Sequence, residues 1–327
     1  MTNLKVVFLT ELDELLETGK FQEATELFKQ ELAKRKLLNP AVDKEWHIYA
    51  DKISAYLTAK QGLKDTADFW AELYDFFVDD IEKPLKIQMH KGHVLFRWGL
   101  ALLIIDFDKG KQKLKEALEE DRKLAQVTTS SPQEAEERLK LYSAYAWLCI
   151  IESLTYGTFV TDEEKRKFFE SILGPAYDYA LAGMTTDPSV IKKRLQIIIG
   201  QPAIAAHAIK LYEELLNALQ TGSPITIVTL NGSVLECILL SLLFGKGVKK
   251  LKNNKDIKDA ELGGLLSEVN DRSEIKNNTV RAIAELVRAF RNRIHPANEL
   301  QKQDYLITSA VASTLKNLLD YAILNWN

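Results

Sequence analysis

Apolar residues recur at three- and four-residue spacing through most of the chain, and nothing else in the sequence constrains the fold as strongly. Leu12, Leu15 and Leu16 open such a stripe; Ala24, Leu27, Phe28 and Leu32 resume it after Gly19. That spacing puts side chains on one face of an α-helix. Alternation with period two is nearly missing. The best strand candidate, Ile225–Leu230, runs straight into NGSVLECILLSLLF, so it reads as part of one long buried helix, with a short strand as the lesser alternative. Only 15 Gly and 8 Pro in 327 residues leave few breakers to interrupt helices. The expected fold class is all-α: an array of helical hairpins followed by a small helical bundle.

Length implies two or three domains, and a 46% hydrophobic content is enough to fill their cores. Charge is unevenly divided: residues 223–327 carry 14 Lys+Arg against 11 Asp+Glu, whereas residues 1–222 are net acidic. The shift coincides with the turn residues Thr221–Pro224. The expected domains are therefore 1–222 and 223–327. Helix starts are written at Ser131-Pro132-Gln133-Glu134 and Thr161-Asp162-Glu163-Glu164 as capping boxes, and at Asp187-Pro188.

Within 1–222, GKFQEATELFKQEL has a Gly-x-aromatic entry and then Ala24 and Phe28 four apart. FDKGKQKLKEAL repeats the pattern with Gly110, Leu114 and Ala117, and DTADFWAELYDFF is a poorer copy. These segments resemble the second helix of a tetratricopeptide repeat. Their spacing of about 43 residues, read from Ala24, Ala67 and Gly110, exceeds the ~34 of that family. Small residues there let a bulky neighbour dock, and stacked hairpins make a concave surface suited to a protein or peptide partner. An ordinary irregular helical domain is the alternative.

The apolar runs Trp98–Phe107 and Cys237–Phe244 fall short of the ~20 residues of a membrane span. The N-terminus lacks a signal-peptide pattern. Cys149 and Cys237 each lie in an apolar helical pattern and read as buried thiols in a reducing compartment. The expected location is cytoplasmic, with no membrane partner.

The segment Thr279–Glu299, TVRAIAELVRAFRNRIHPANE, carries the most chemistry. With Arg288 set to zero at ~100° per residue, Val280, Ile283, Leu286, Val287, Phe290 and Ile294 fall between about 160° and 280°. Arg288, Arg291, Asn292 and His295 fall at about 0°, 300°, 40° and 340°. Two arginines, an amide and the one histidine of this domain thus share an arc turned from the core, with Arg281 and Glu285 beside them. Pro296 puts His295 at the helix C-terminus.

This helix resembles the signature of the HEPN superfamily (higher eukaryotes and prokaryotes nucleotide-binding), an Arg followed after four to six residues by His. Six residues separate Arg288 from His295; Arg291-Asn292 supplies the Arg-Asn pair, with three residues before His295. Neither arginine meets every feature of the signature. RAFRNRIHP also resembles a variant in bacterial helical domains, in which a Gly-x-x-Leu-Glu segment precedes Arg-Asn-x-x-His-Pro. Gly232-Ser233-Val234-Leu235-Glu236 matches that earlier segment. The resemblance covers 223–327, about a third of the chain.

It implies a homodimer through the C-terminal domain and RNA cleavage without metal or cofactor. His295 would be the acid/base acting on a ribose 2′-OH; Arg288 and Arg291 would hold phosphate; Asn292 would orient. Many members of the superfamily have lost activity and only bind. The expected function is a metal-independent endoribonuclease of toxin or antiviral-defence type, regulated by the helical N-terminal domain. The alternatives are a non-catalytic interaction protein or defence-complex subunit that binds RNA, nucleotide or protein, and an ordinary solvated helix face.

Lys246, Lys249, Lys250 and Lys252 fall in a lysine-rich loop, KGVKKLKNNKDIK, and are candidate contacts to an RNA backbone; the alternative is a merely soluble loop. His90 and His93 share no evident third metal ligand, and Gly92 argues for a loop or cap there. His47 and His207 read as packing residues. Trp70, Trp98 and Trp147 fit core positions. No dinucleotide, P-loop or nucleophile-elbow motif occurs.

Overall fold

The computed structural model describes residues 2–38, 46–60, 62–81, 91–157, 159, 161–181, 184–295, 298 and 303–326. The chain is all-α, and no strand occurs among the described residues. It divides into two compact units, Met1–Leu139 and Lys140–Asn327.

The first unit contains α1 (Thr2–Glu17), α2 (Phe21–Leu38), α3 (Trp46–Lys60), α4 (Leu63–Ile81), α5 (Lys91–Ile105), α6 (Phe107–Thr128) and α7 (Pro132–Leu139). Each packs on its chain neighbours. Gly19 turns α1 into α2 with φ +76, a conformation that suits glycine. Leu12, Leu16, Phe28, Ile53, Trp70 and Leu73 fill the core, and the Trp70 indole N–H donates to Ser54 Oγ at 2.8 Å.

Ala24, Ala67 and Gly110 are all buried, each near the start of the second helix of a pair: α2, α4 and α6. The 43-residue spacing in the sequence thus marks successive helix pairs. At Gly110 the reason for a small residue is steric. A Cβ there would lie 2.5 Å from the Leu103 nitrogen and 2.8 Å from the Gly99 oxygen, so α5 and α6 meet backbone to backbone.

His93 lies inside α5, not in a loop as Gly92 suggested. It bonds to Asp51 Oδ1 at 3.2 Å, and Arg97 pairs with the other oxygen at 2.9 Å. Burial pushes the Asp51 carboxyl up, but the hydrogen bond from His93 and the charge of Arg97 pull it further down, below the usual range. His90 and the His47 side chain lie outside the described residues. Trp70 and Trp147 are buried as expected; Trp98 is half-buried against Tyr74 and Lys113.

The second unit runs from α8 (Ser143–Ser153), continued by a 3-10 turn at Leu154–Tyr156, through α9 (Asp162–Leu173), α10 (Tyr177–Ala180), α11 (Pro188–Ile198), α12 (Pro202–Thr221) and α13 (Pro224–Gly245). A second 3-10 turn at Ile257–Asp259 precedes α14 (Leu262–Asp271), α15 (Asn278–Arg293) and α16 (Ser309–Leu324). The expected helix starts are present. Thr161 and Glu164 form a reciprocal capping box, and Asp187 accepts from the Ser189 N–H ahead of α11. Before α7, Ser131 Oγ accepts from the Glu134 N–H, while the Glu134 carboxylate reaches back to Ser130.

The compact units part at Leu139–Lys140, not at the Thr221–Pro224 turn where a domain junction was expected. The turn residues there serve a tight connection: Gly222, with φ +73, caps α12, Pro224 opens α13, and the two helices pack closely on each other. Residues 140–222 therefore belong with the C-terminal segment.

Ile225–Leu230 are helical, within α13. Including them makes α13 longer than its apolar core alone suggested. By length and composition it could cross a membrane, yet 61% of its most apolar stretch is buried inside the fold. It packs on α12, α14, α15 and α16. Cys149 and Cys237 are buried free thiols, and burial pushes each up to about 11.

Candidate functional site

Helix α15 starts where the Asn277 side chain accepts from the N–H groups of Thr279 and Val280, at 2.9 and 3.3 Å. Val280, Ile283, Leu286, Val287 and Phe290 are buried, as the predicted stripe requires; Ile294 is half-buried. The opposite arc is more covered than an amphipathic surface helix would leave it. Helices α8, α9, α13, α14 and α16 and the Leu154–Tyr156 turn all pack on α15. Each predicted site residue accordingly meets a different neighbour.

Arg288 is the most enclosed of the four. Its guanidinium pairs with Glu285 at 2.7 Å, with only 13% and 11% of the two side chains exposed. Glu285 also accepts from Asn270 Nδ2 at 2.8 Å. Arg288 Nε and Asn270 Oδ1 are buried without a hydrogen-bond partner. The Arg288 stem passes Gly263 of α14, where a Cβ would lie 3.8 Å from Arg288 Cδ.

Arg291 lies across α13. A Cβ at Gly232 would sit 2.9 Å from both Arg291 Cδ and Nη1, so glycine opens the slot the arginine occupies. Nη1 reaches Ser233 Oγ at 3.4 Å and the Thr229 carbonyl at 3.5 Å. Nη2 lies 3.5 Å from Glu236, with the side chains 33% and 25% exposed. Glu236 Oε1 also accepts from the Leu262 N–H at 3.1 Å. Burial raises the Glu236 carboxyl above its usual range, against the opposing pull of Arg291 and the Leu262 bond. The Gly232–Glu236 segment singled out in the sequence is thus the seat of Arg291.

Asn292 and His295 are exposed at the end of the helix. The Asn292 amide donates to the Tyr156 carbonyl at 2.9 Å. The His295 N–H donates to the Asn292 carbonyl at 3.0 Å, and Asn298 Nδ2 donates to that same oxygen at 2.7 Å. His295 therefore sits just past the last turn, where the sequence puts it. Pro296 lies outside the described residues.

A third arginine, Arg293, was not singled out by the sequence. It is fully buried. Nη1 donates to the Cys149 carbonyl at 3.0 Å and Ser153 Oγ at 2.6 Å; Nη2 meets Glu152 and the Tyr305 carbonyl; Nε reaches Gln303 at 3.3 Å. The signal was available: at ~100° per residue Arg293 lies about 140° from Arg288, at the edge of the apolar stripe.

The lysine segment is held to the fold by apolar anchors while its lysines are exposed. Val248, Leu251 and Ile257 are buried anchors. The Leu251 N–H donates to the Lys255 carbonyl at 2.9 Å, and the Ile257 N–H to the Lys249 carbonyl at 3.1 Å. Lys246 pairs with Glu274 at 3.2 Å and Lys252 with Asp271 at 2.7 Å, while Lys249 and Lys250 are exposed on the outside.

The N-terminal end of α15 lines a separate groove of about 790 Å³ with Phe159, Phe168, Asn270, Arg281 and Glu285 on its walls. His207 is exposed on α12 rather than packed between helices, because it falls on the side of α12 opposite the buried Ala205, Ala208 and Tyr212. Among the described residues, no three His, Cys, Asp or Glu gather into a metal-ligand set. Comparison with protein families, with curated proteins and with solved structures returned no match.

Proposed function

We propose that the C-terminal segment cleaves RNA at the end of α15, as a homodimer, in an endoribonuclease of the toxin or antiviral-defence type. The reading rests on one observation: His295 and Asn292 are exposed within one turn of each other, beside an arginine one-third exposed in a preformed slot. In this reaction His295 takes the proton of a ribose 2′-OH. The 2′-oxygen attacks the adjacent phosphorus, the 5′-oxygen leaves and is protonated, and a cyclic phosphate remains. Arg291 stabilises the charge on the non-bridging oxygens. Asn292 orients. Arg288, engaged with Glu285, braces the helix that carries them.

The same reading makes the protein cytoplasmic, gives Lys249 and Lys250 the role of RNA-backbone contacts, and gives the N-terminal helix pairs the role of holding a regulatory protein or peptide. Its test is purified protein with RNA and a chelator, against His295→Ala. Loss of a general base typically costs 10²–10⁴-fold in rate. Equal cleavage by both proteins, or none by either, refutes it.

A second reading has its own support. Arg288 and Arg291 both already face carboxylates of the fold, as residues of a non-catalytic binding surface would. There, Arg291→Glu abolishes partner binding while His295→Gln leaves it intact.

A further inference from the structure

The contacts of Arg291 are all at the outer limit of hydrogen bonding. A charge-assisted N–H···O bond prefers about 2.7–2.9 Å, yet the nearest acceptors stand at 3.4, 3.5 and 3.5 Å. The guanidinium is well placed and poorly bonded. Its placement comes from shape, since the missing Cβ of Gly232 lets the end of the side chain lie flat on α13. Its weak bonding leaves donor capacity for a better acceptor.

Glu236 does not depend on Arg291 for its own position, because the Leu262 N–H holds the same oxygen at 3.1 Å. We propose that Glu236 is a counter-ion gate: it faces Arg291 and yields the guanidinium to an RNA phosphodiester. The carboxylate opposes an approaching anion while neutralising the arginine, and a phosphate at normal bonding distance out-competes it. This inference builds on the RNA reading above by naming the residue that controls its phosphate-holding arginine. Its test does not require cleavage.

The experiment measures binding of a fluorescent 2′-O-methyl RNA oligomer, which lacks the reacting hydroxyl, to the full chain. Glu236→Gln keeps the shape and can still accept from Leu262 while losing the charge. It should tighten binding by about fivefold, an effect that fades with added salt. Arg291→Gln should weaken binding, and Glu236→Gln in that background should change nothing further. Thermal melts establish that each variant is folded.

Glu236→Gln leaving affinity unchanged or weaker in a folded protein overturns the gate. So does an equal gain with and without Arg291, since Glu236 would then act only as diffuse negative charge; so does the absence of binding by any of the proteins. Failure of the cleavage reading shows separately, as His295→Ala cleaving like the parent, and leaves the binding pattern to stand on its own.

Discussion

Arg293 and Ser153 meet at 2.6 Å in the interior of the second unit, through Nη1 and Oγ, with the arginine wholly shielded from solvent. That bond belongs to a set that ties the end of α15 to the end of α8 and to residues 303–305. The end of α15 is thus anchored in large part through this arginine.

Replacing Arg293 by alanine should be among the most damaging single changes in the chain. It strips partners from the Cys149 and Tyr305 carbonyls and leaves Glu152 without its buried counter-charge. Breaking one partner of a buried pair costs about 3–5 kcal/mol. Chemical denaturation should register a loss of that size, whereas Arg291→Ala, at a partly exposed and loosely bonded pair, should cost about 1 kcal/mol or less.

Gly110→Ala tests the close approach of α5 and α6. The new methyl meets backbone atoms at 2.5 and 2.8 Å, which cannot rotate aside, so the helices must separate, at a cost of about 1–3 kcal/mol or more. Gly245→Ala, where nothing lies within 4 Å of the added carbon, is the matched control. It should be neutral or stabilising by up to about 1 kcal/mol. Equal melting temperatures for the two variants would contradict the packing described.

Asp51 predicts an acid sensitivity of the first unit. Its carboxyl lies below the usual range because His93 and Arg97 outweigh the effect of burial. A lowered folded-state value stabilises wherever the unfolded carboxyl is ionised, above about pH 4. The contribution disappears as pH falls through the lowered value. The stability difference between the parent and Asp51→Asn should be full at pH 7 and close in strong acid, as followed by unfolding across pH.

Lys316, Asp320 and Tyr212 form the opposite case in the second unit. Lys316 bonds Asp320 at 2.6 Å and the Tyr212 hydroxyl donates to it at 2.9 Å, all three being buried. Burial raises the Asp320 carboxyl despite Lys316 and Tyr212. Lys316→Met should cost about 3–5 kcal/mol at neutral pH by stranding the carboxylate. The penalty should shrink as pH falls, because a raised carboxyl takes up its proton and no longer needs a counter-charge. A penalty independent of pH would mean that Asp320 is not charged in the fold.

Much of this architecture was legible because it is local. Thr161 with Glu164 and Asp187 with Pro188 announce their helices within four residues, and the 43-residue recurrence of Ala24, Ala67 and Gly110 marks the helix pairs. The stripe on α15 was legible from angle alone. What covers its polar side was legible only in part: resemblance pointed to the Gly232–Glu236 segment, but Gly263 and Asn270 come from a helix whose arrival no local pattern specifies. Arg293 was passed over because charged residues are ordinarily exposed; only its angle at the rim of the stripe hinted otherwise. The unit boundary at Leu139–Lys140 carries no glycine or proline, while the eye-catching Thr221–Pro224 turn merely reverses the chain inside one unit.

That boundary decides what can be inherited or transplanted as a piece. A segment starting at Ser223 would bare the side of α13 that α12 covers and remove Tyr212 from Asp320, Glu152 from Arg293 and Tyr156 from Asn292. A transplanted piece that keeps the contacts of α15 therefore runs from about Lys140 onward rather than from Ser223.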